Sequence, residues 1–361
     1  MGGLDSQEPA EPQSLDVQLK AAGVDRAQVL GGLTRRQLVR RAAVAIGVVA
    51  VVALAIVELP ALHVVRARLA GAHPGWIVAS AVMEALSIAC FALALQRAFK
   101  DQLAPRGAIA LGATSQGVNA VVPAGGTAGF AFAAVIFADA GFPVASTVGR
   151  LIALFLITSV MTNLVLIVVG GGGSAFGILT AHASLGATVI PGVLAMALLV
   201  AFTVALRPAR RARSTAAPPT RALSRARFLR EAIGLSGALV SDRDPWLAVG
   251  ALGYVIFDLL ALATALAALG GGGLGAGTVI LGYTLGQIGS VIPLPGATEG
   301  GLAGALALYG ASLSLAVPAV LVYRTVAIAV PLLLAALGAL ELRHGLDVTG
   351  ASESTTWPAT T

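Results

Sequence analysis

Apolar residues in this chain come in long runs, and most charged residues fall in the joints between them and in the tails. Runs at roughly 42–65, 76–96, 144–169, 186–206, 246–269 and 315–340 are each long enough to cross a hydrocarbon core about 30 Å thick as a helix rising 1.5 Å per residue. They predict six full transmembrane helices. Two further apolar regions, roughly 107–141 and 276–311, are interrupted at their centres by VVPAGGTAGF and VIPLPGATEGG. Proline removes a backbone donor and ends a helix, so each region is expected to be a re-entrant pair of half-helices, two full spans being the alternative. In either form both ends of the region emerge on one side.

Composition agrees with a membrane protein of the all-α polytopic class. Hydrophobic residues make up 57% of the chain, charged residues 11%, and the mean hydropathy is +0.89; a soluble domain is about 45–50% apolar and 25% charged. The single cysteine, Cys90, lies in an apolar run and is expected to be a small core residue, with no disulfide framework or cysteine metal site within one chain. A net charge of +6 raises nucleic acid as a partner, but the arginines gather beside apolar segments without interleaved aromatic residues, which excludes a stacking surface. They read as topology signals. Arg35, Arg36, Arg40 and Arg41, then Arg97, Lys100 and Arg106, then the eight arginines of 207–230 mark cytoplasmic segments. Threading the chain through these assignments puts GGGGSAFGILTAHAS and GGGGLGAG outside and ELRHG inside, with Arg66 and Arg68 the one dissent. The expected organisation is a polar cytoplasmic segment 1–38, a membrane domain 39–343 with a basic cytoplasmic loop 207–230, and a disordered tail 344–361. The first apolar run has no small-residue cleavage site and reads as an anchor, not a signal peptide. Arginine outnumbers lysine about tenfold, the codon bias of a GC-rich bacterial genome, so the expected location is a bacterial inner membrane with both termini cytoplasmic.

Slid over itself by about 170–174 residues, the chain matches Gly112 with Gly282, Gln116 with Gln287, Pro123 with Pro295, Gly129 with Gly301 and Arg150 with Arg324. The threading makes one broken hairpin dip from the cytoplasm and the other from outside. An inverted-topology repeat is predicted, repeat A at about 76–170 and repeat B at about 246–341; secondary transporters are built this way, with binding near the midplane. Convergence of two glycine-rich hairpins is the plainer alternative.

The run IPLPGATEGGLAGALALYGASLSLAVPAVLVYRTVAIAVPLLL resembles the final motif of the lysylphosphatidylglycerol synthase membrane-region family, the flippase-like domain family, where a Pro-Gly-Gly-x-Gly-x-x-Glu stretch precedes a helix bearing Tyr-Arg. The resemblance covers about residues 40–341. It departs in two places: PGATE is about three residues short, and PAGGTAGFA in the first hairpin has no carboxylate. The resemblance implies lipid translocation, or membrane support for a lipid-modifying enzyme.

Charged residues inside apolar runs are the candidate chemistry, because a charge near the bilayer centre costs about 2.5–3.5 kcal/mol on insertion scales. Glu84, Asp258, Arg150, Arg324 and Glu299 are these residues. An acid in each half's first helix and an arginine in each half's last make two structural ion pairs one expectation. The functional expectation is that each arginine forks onto a lipid phosphate. The breaks are expected to leave the amides of Gly300, Gly301 and their neighbours free at a half-helix N-terminus, with Gly125 and Gly126 at the first break in a corresponding place. Thr127 and Thr298 are candidate caps, and close packing through Gly300, Gly301 and Gly304 is the structural alternative. Glu299 adds like charge to a phosphate site, so a headgroup carrying both phosphate and amine fits better than a plain phosphate.

The GGGG runs at 170–173 and 270–273 read as flexible outer turns and lack the Gly-Lys-Ser/Thr of a phosphate loop. His63, His73, His182 and His344 have no metal spacing and no catalytic triad is legible, so no cofactor or metal is implied. The expected function is translocation or binding of a phospholipid or lipid-linked substrate without a covalent step. The alternatives are a membrane subunit presenting that lipid to a separate synthase or glycosyltransferase, and a structural membrane protein. No aminoacyl-transferase domain is legible.

Overall fold

The computed structural model describes residues 19, 24, 63–99, 102–122, 127–181, 183–209, 244–288 and 296–342, and these are almost wholly helical. In chain order the helices are α1 (His63–Ala70), α2 (Pro74–Ala98), α3 (Pro105–Val121), α4 (Thr127–Asp139), α5 (Val144–Phe155), α6 (Thr162–Ala175), α7 (Leu185–Ala209), α8 (Pro245–Ala268), α9 (Ala276–Gly286), α10 (Ala297–Leu308) and α11 (Leu313–Leu342). A six-residue π segment, Leu156–Met161, joins α5 to α6 without a break. Four of these, Pro74–Ala98, Val144–Ala175, Pro245–Ala268 and Leu313–Ala339, are long and apolar enough to cross a membrane. The chain is a multi-pass membrane protein. α7 coincides with the predicted span at 186–206. Most of the predicted first span, both break centres with Gly125 and Gly126, the bulk of the 207–230 loop, His182, His344 and both tails lie outside the described residues.

Local chemistry sets the helix ends. Pro74, Pro105 and Pro245 each occupy the first helical position, where a missing N–H costs nothing and φ is already helical. Asp244 caps α8 by accepting from the Trp246 N–H at 2.9 Å. α4 and α10 end alike: Gly141 and Gly310 adopt φ of 87° and 103°, and the next amides, Phe142 and Ala311, reach back to the carbonyls of Phe137 and Leu306. A side chain at either glycine would force an L-residue into left-handed backbone.

The centre of the molecule is the antiparallel pair α2 and α8. His73 N donates to Ala268 O at 2.8 Å, Ser80 Oγ to Ala261 O at 2.8 Å and Ser87 Oγ to Tyr254 O at 2.7 Å, so each seven-residue step along α2 is matched by seven back along α8. Arg97 and Asp244 close the far end at 4.0 Å. Such interhelical side-chain bonds are worth about 0.6 kcal/mol each, so they fix register while the closeness comes from small residues. A Cβ at Gly250 would meet Ala94 N at 2.7 Å and Cys90 O at 2.8 Å, and Cys90 packs on Gly253 as a small core residue.

Trp76 and Trp246 are half-exposed near the starts of α2 and α8, and tryptophan is enriched at membrane–water interfaces. In this register Trp246 stands level with Leu95, nineteen residues from Trp76, or about 28 Å. That matches a hydrocarbon core about 30 Å thick.

The broken regions are pairs of short helices, α3 with α4 and α9 with α10. α9 and α10 have 11 and 12 residues, about 16 and 18 Å, too short to cross alone. Thr278 Oγ1 donates to Tyr309 O at 2.8 Å, tying the start of α9 to the end of α10. That end lies beside the close of α6, where Gly275 and Gly277 abut Thr180. At the opposite end of the molecule Phe99 stacks on Phe137, the rings 4.1 Å apart, bringing the end of α4 beside the chain that leads into α3.

The Gly170–Gly173 run is not a turn, as its composition suggests, but the last part of α6. Gly170 lies against Ile280 and Leu281 of α9, and Gly171 against Thr188 O and Gly192 of α7. In lipid the backbone must satisfy itself, so glycine stays helical and its missing side chain serves close approach. Gly270 does form the expected turn, at φ 85°. Arg68 donates to Leu269 O at 3.0 Å, so this basic residue closes the C-terminus of α8, a structural use that accounts for its dissent from the charge asymmetry.

Candidate functional site

Ser80, Glu84 and Ser87 share one face of α2 because they are spaced by four and three, and Tyr254, Asp258 and Ala261 share one face of α8 for the same reason. The two serine clamps therefore bring Glu84 and Asp258 close enough to interact directly. Measured along the helices, the pair is about 12 Å from the level of Trp76 and about 18 Å from that of Trp246. It stands near mid-membrane. Glu84 is only 7% exposed.

Two tyrosines complete this cluster. Tyr283 of α9 donates to Asp258 Oδ2 and Tyr323 of α11 to Asp258 Oδ1, both at 2.6 Å, and both phenols are buried. Tyr254 of α8 lies close to Gln116 of α3. From there a polar chain runs into the first hairpin: Asn119 Nδ2 donates to Gln116 Oε1 at 3.0 Å, and the Gly129 amide of α4 donates to Asn119 Oδ1 at 2.7 Å. A Cβ at Gly129 would strike Ser115 O, so this crossing of α3 and α4 requires glycine. Spacing alone did not single out Tyr254, Tyr283, Tyr323 or Asn119. A signal existed: all four tyrosines of the chain fall in its second half inside apolar runs, and a buried phenol usually finds a partner.

One helical step beyond Tyr323, Arg324 pairs with Glu299, Nε to Oε1 at 2.9 Å. The two side chains are 30% and 32% exposed. Glu299 lies in the first turn of α10, and with Gly300, Ala303, Val317, Val320 and Leu321 it lines a recess of about 140 Å³ between α10 and α11. Arg324 is also close enough to act electrostatically on Asp258 and Glu84. The expected second-half ion pair is therefore present, with Glu299 and not Asp258 as its direct partner.

Arg150 makes no such pair among the described residues. Arg150 donates through Nη1 to Ala98 O at 3.2 Å and lies 5.7 Å from the centre of the Phe99 ring, so it closes the C-terminus of α2 at one end of the bundle. It does not meet Glu84 as the repeat suggested. Two other expectations change. The Gly300 amide is not free but donates to Gly296 O at 2.8 Å, and α10 is capped by Gly296 at φ 84°, so Thr298 lies within the first turn. Thr127 is the first residue of α4. The expected close packing is also absent at Gly300 and Gly304, where an added Cβ would meet nothing within 4 Å; at Gly300 that open space belongs to the recess.

No model of a known family, no characterised protein and no solved structure matches this chain.

Proposed function

We propose that this chain is a lipid translocator of a bacterial inner membrane, built as an inverted repeat with both termini cytoplasmic. The observation that carries this reading is the Arg324–Glu299 pair, one-third exposed, whose Glu299 lines a recess at the start of a half-helix. Only the Nε–H of Arg324 is engaged by Glu299; its other four N–H groups, on Nη1 and Nη2, have the planar spacing that forks onto a phosphate. Glu299 beside it accepts an amine. A phospholipid headgroup with both groups, such as an ethanolamine or aminoacylated lipid, satisfies the two side chains together.

The repeat is supported by duplicated packing. α2 with α3, α3 with α4 and α4 with α5 have mates in α8 with α9, α9 with α10 and α10 with α11. α6 lies on α9 as α11 lies on α3, and α2 runs antiparallel to α8. The two short-helix pairs have their ends at opposite ends of the bundle, the arrangement expected of hairpins entering from opposite faces. The resemblance to the lysylphosphatidylglycerol synthase membrane region points to the same activity.

The test is movement of headgroup-labelled phospholipid between leaflets of vesicles holding the purified chain. Transfer above that in protein-free vesicles is expected, and inserted protein that moves no phosphate-bearing lipid would refute the proposal. A reporter at residue 215 should be cytoplasmic and reporters at 178 and 273 external; finding 178 and 273 on opposite faces would remove the inverted repeat.

A further inference from the structure

The mid-membrane cluster holds more negative groups than the arginine beside it can balance. Glu84, Asp258 and Glu299 face a single guanidinium, Arg324, which is already engaged with Glu299. Among the described residues, every other titratable group facing the pair is a phenol: Tyr254 on α8, Tyr283 on α9 and Tyr323 on α11. α3 contributes the neutral amide of Gln116.

The hydrogen bonds locate the missing positive charge. Each oxygen of Asp258 accepts from a tyrosine, so Asp258 is an acceptor on both sides. Glu84 Oε2 is fully buried and no donor reaches it, although the carboxyl lies against Asp258. Two carboxylates can only accept, and their contact becomes a hydrogen bond only when one proton lies between them. A metal ion fits poorly, because the tyrosines already point O–H groups, not lone pairs, at Asp258.

We propose that Glu84 carries an exchangeable proton, donated in a hydrogen bond to Asp258, and that lipid movement is coupled to the passage of this proton. The inference rests on the translocator reading. With the proton in place, the four charged positions sum to one negative unit; without it, to two. A lipid phosphate is accordingly bound better at Arg324 when Glu84 is protonated, and by reciprocity the phosphate strengthens proton binding. Proton and phosphate then move in the same direction: the proton enters Glu84 from water on one face and leaves to water on the other, with no bond to carbon made or broken. The hydrogen-bonded chain Gln116–Asn119–Gly129, beside Tyr254, lies between this cluster and the first hairpin, so a change at Glu84 has a polar path toward α4.

Two measurements decide the matter. In vesicles, a gradient of one pH unit should shift the steady distribution of labelled phospholipid by up to about tenfold toward the alkaline side, the ratio set by one proton per lipid. Glu84→Gln, whose amide still donates to Asp258, should lose that bias. Lipid movement that ignores the gradient in the unaltered protein, or a bias that survives in E84Q or needs sodium instead, would overturn the coupling and leave the translocator reading standing. Independently of any transport, the infrared spectrum of the reconstituted protein should show the C=O band of a protonated carboxyl that is lost in E84Q. Absence of that band in the unaltered protein overturns the proposal even if no lipid moves at all.

Discussion

Arg150 and Arg324 are matched by the repeat and lie on the last long helix of their halves, but they stand at different depths. Arg150 is six residues from the start of α5, which places it beside the end of α2, where a carbonyl and an aromatic face receive it. Arg324 is eleven residues from the start of α11, which carries it to mid-depth, beside a tyrosine–aspartate cluster and a carboxylate at a helix break. A cation at the bundle's end can use water and helix carbonyls. One at mid-depth must be matched by the protein or by something the protein binds. The acids differ too: PAGGTAGFA offers no counterpart to Glu299. Arg150 is therefore used for packing at a helix end, whereas Arg324 stands where its charge has a carboxylate partner beside a recess.

The largest expected effect that sharpens this contrast is at Glu299. Glu299→Gln should shift preference from amine-bearing toward plain anionic phospholipids by roughly ten- to hundredfold, the loss of a charge-assisted bond worth about 1.5–3 kcal/mol. Because the pair is a third exposed, stability should fall by no more than about 1 kcal/mol. Unchanged selectivity with a large fall in thermal stability in detergent would make Glu299 a structural partner of Arg324 and nothing more.

Tyr323→Phe removes one donor from Asp258 and leaves an under-satisfied carboxylate in the membrane. Thermal unfolding should report a loss of about 1–3 kcal/mol, and Tyr283→Phe should behave alike. A neutral result in both would mean that Asp258 does not depend on these phenols.

Glycine substitutions separate packing from space-filling. Gly250→Ala must push α2 and α8 apart, since the new carbon would meet backbone of Ala94 and Cys90 at 2.7 and 2.8 Å; a loss of about 1–3 kcal/mol is expected. Gly172→Ala has nothing within 4 Å and should be neutral or stabilising by up to about 1 kcal/mol. Equal melting temperatures for the two variants would contradict the close approach of the central helices.

The spans at 76–96, 144–169, 246–269 and 315–340 were legible because an unbroken apolar run in lipid has one low-energy form, a helix. The second-half pair of Arg324 was legible as a charge out of place. Its partner was not, because sequence shows that Glu299 and Asp258 are both apolar-run acids but not which one the helix crossing presents. Depth was hidden as well: Arg150 and Arg324 match in the repeat, and only the packed register of α2 and α8 gives a scale along the membrane normal. Gly170–Gly173 was misread because glycine favours turns in water, whereas inside a bundle its value is close approach.

Arg324→Gln set beside Arg150→Gln in the same lipid-movement experiment tests the division between the halves most directly. Arg324→Gln should remain inserted but lose movement of phosphate-bearing lipid, with Arg324→Lys restoring only part, because an ammonium lacks the planar fork. Arg150→Gln should move lipid normally and lose about 0.3–1 kcal/mol of stability, the worth of a cation at a helix C-terminus. Normal movement in Arg324→Gln, or loss of movement in a well-folded Arg150→Gln, would contradict the assignment of the headgroup site to the second half.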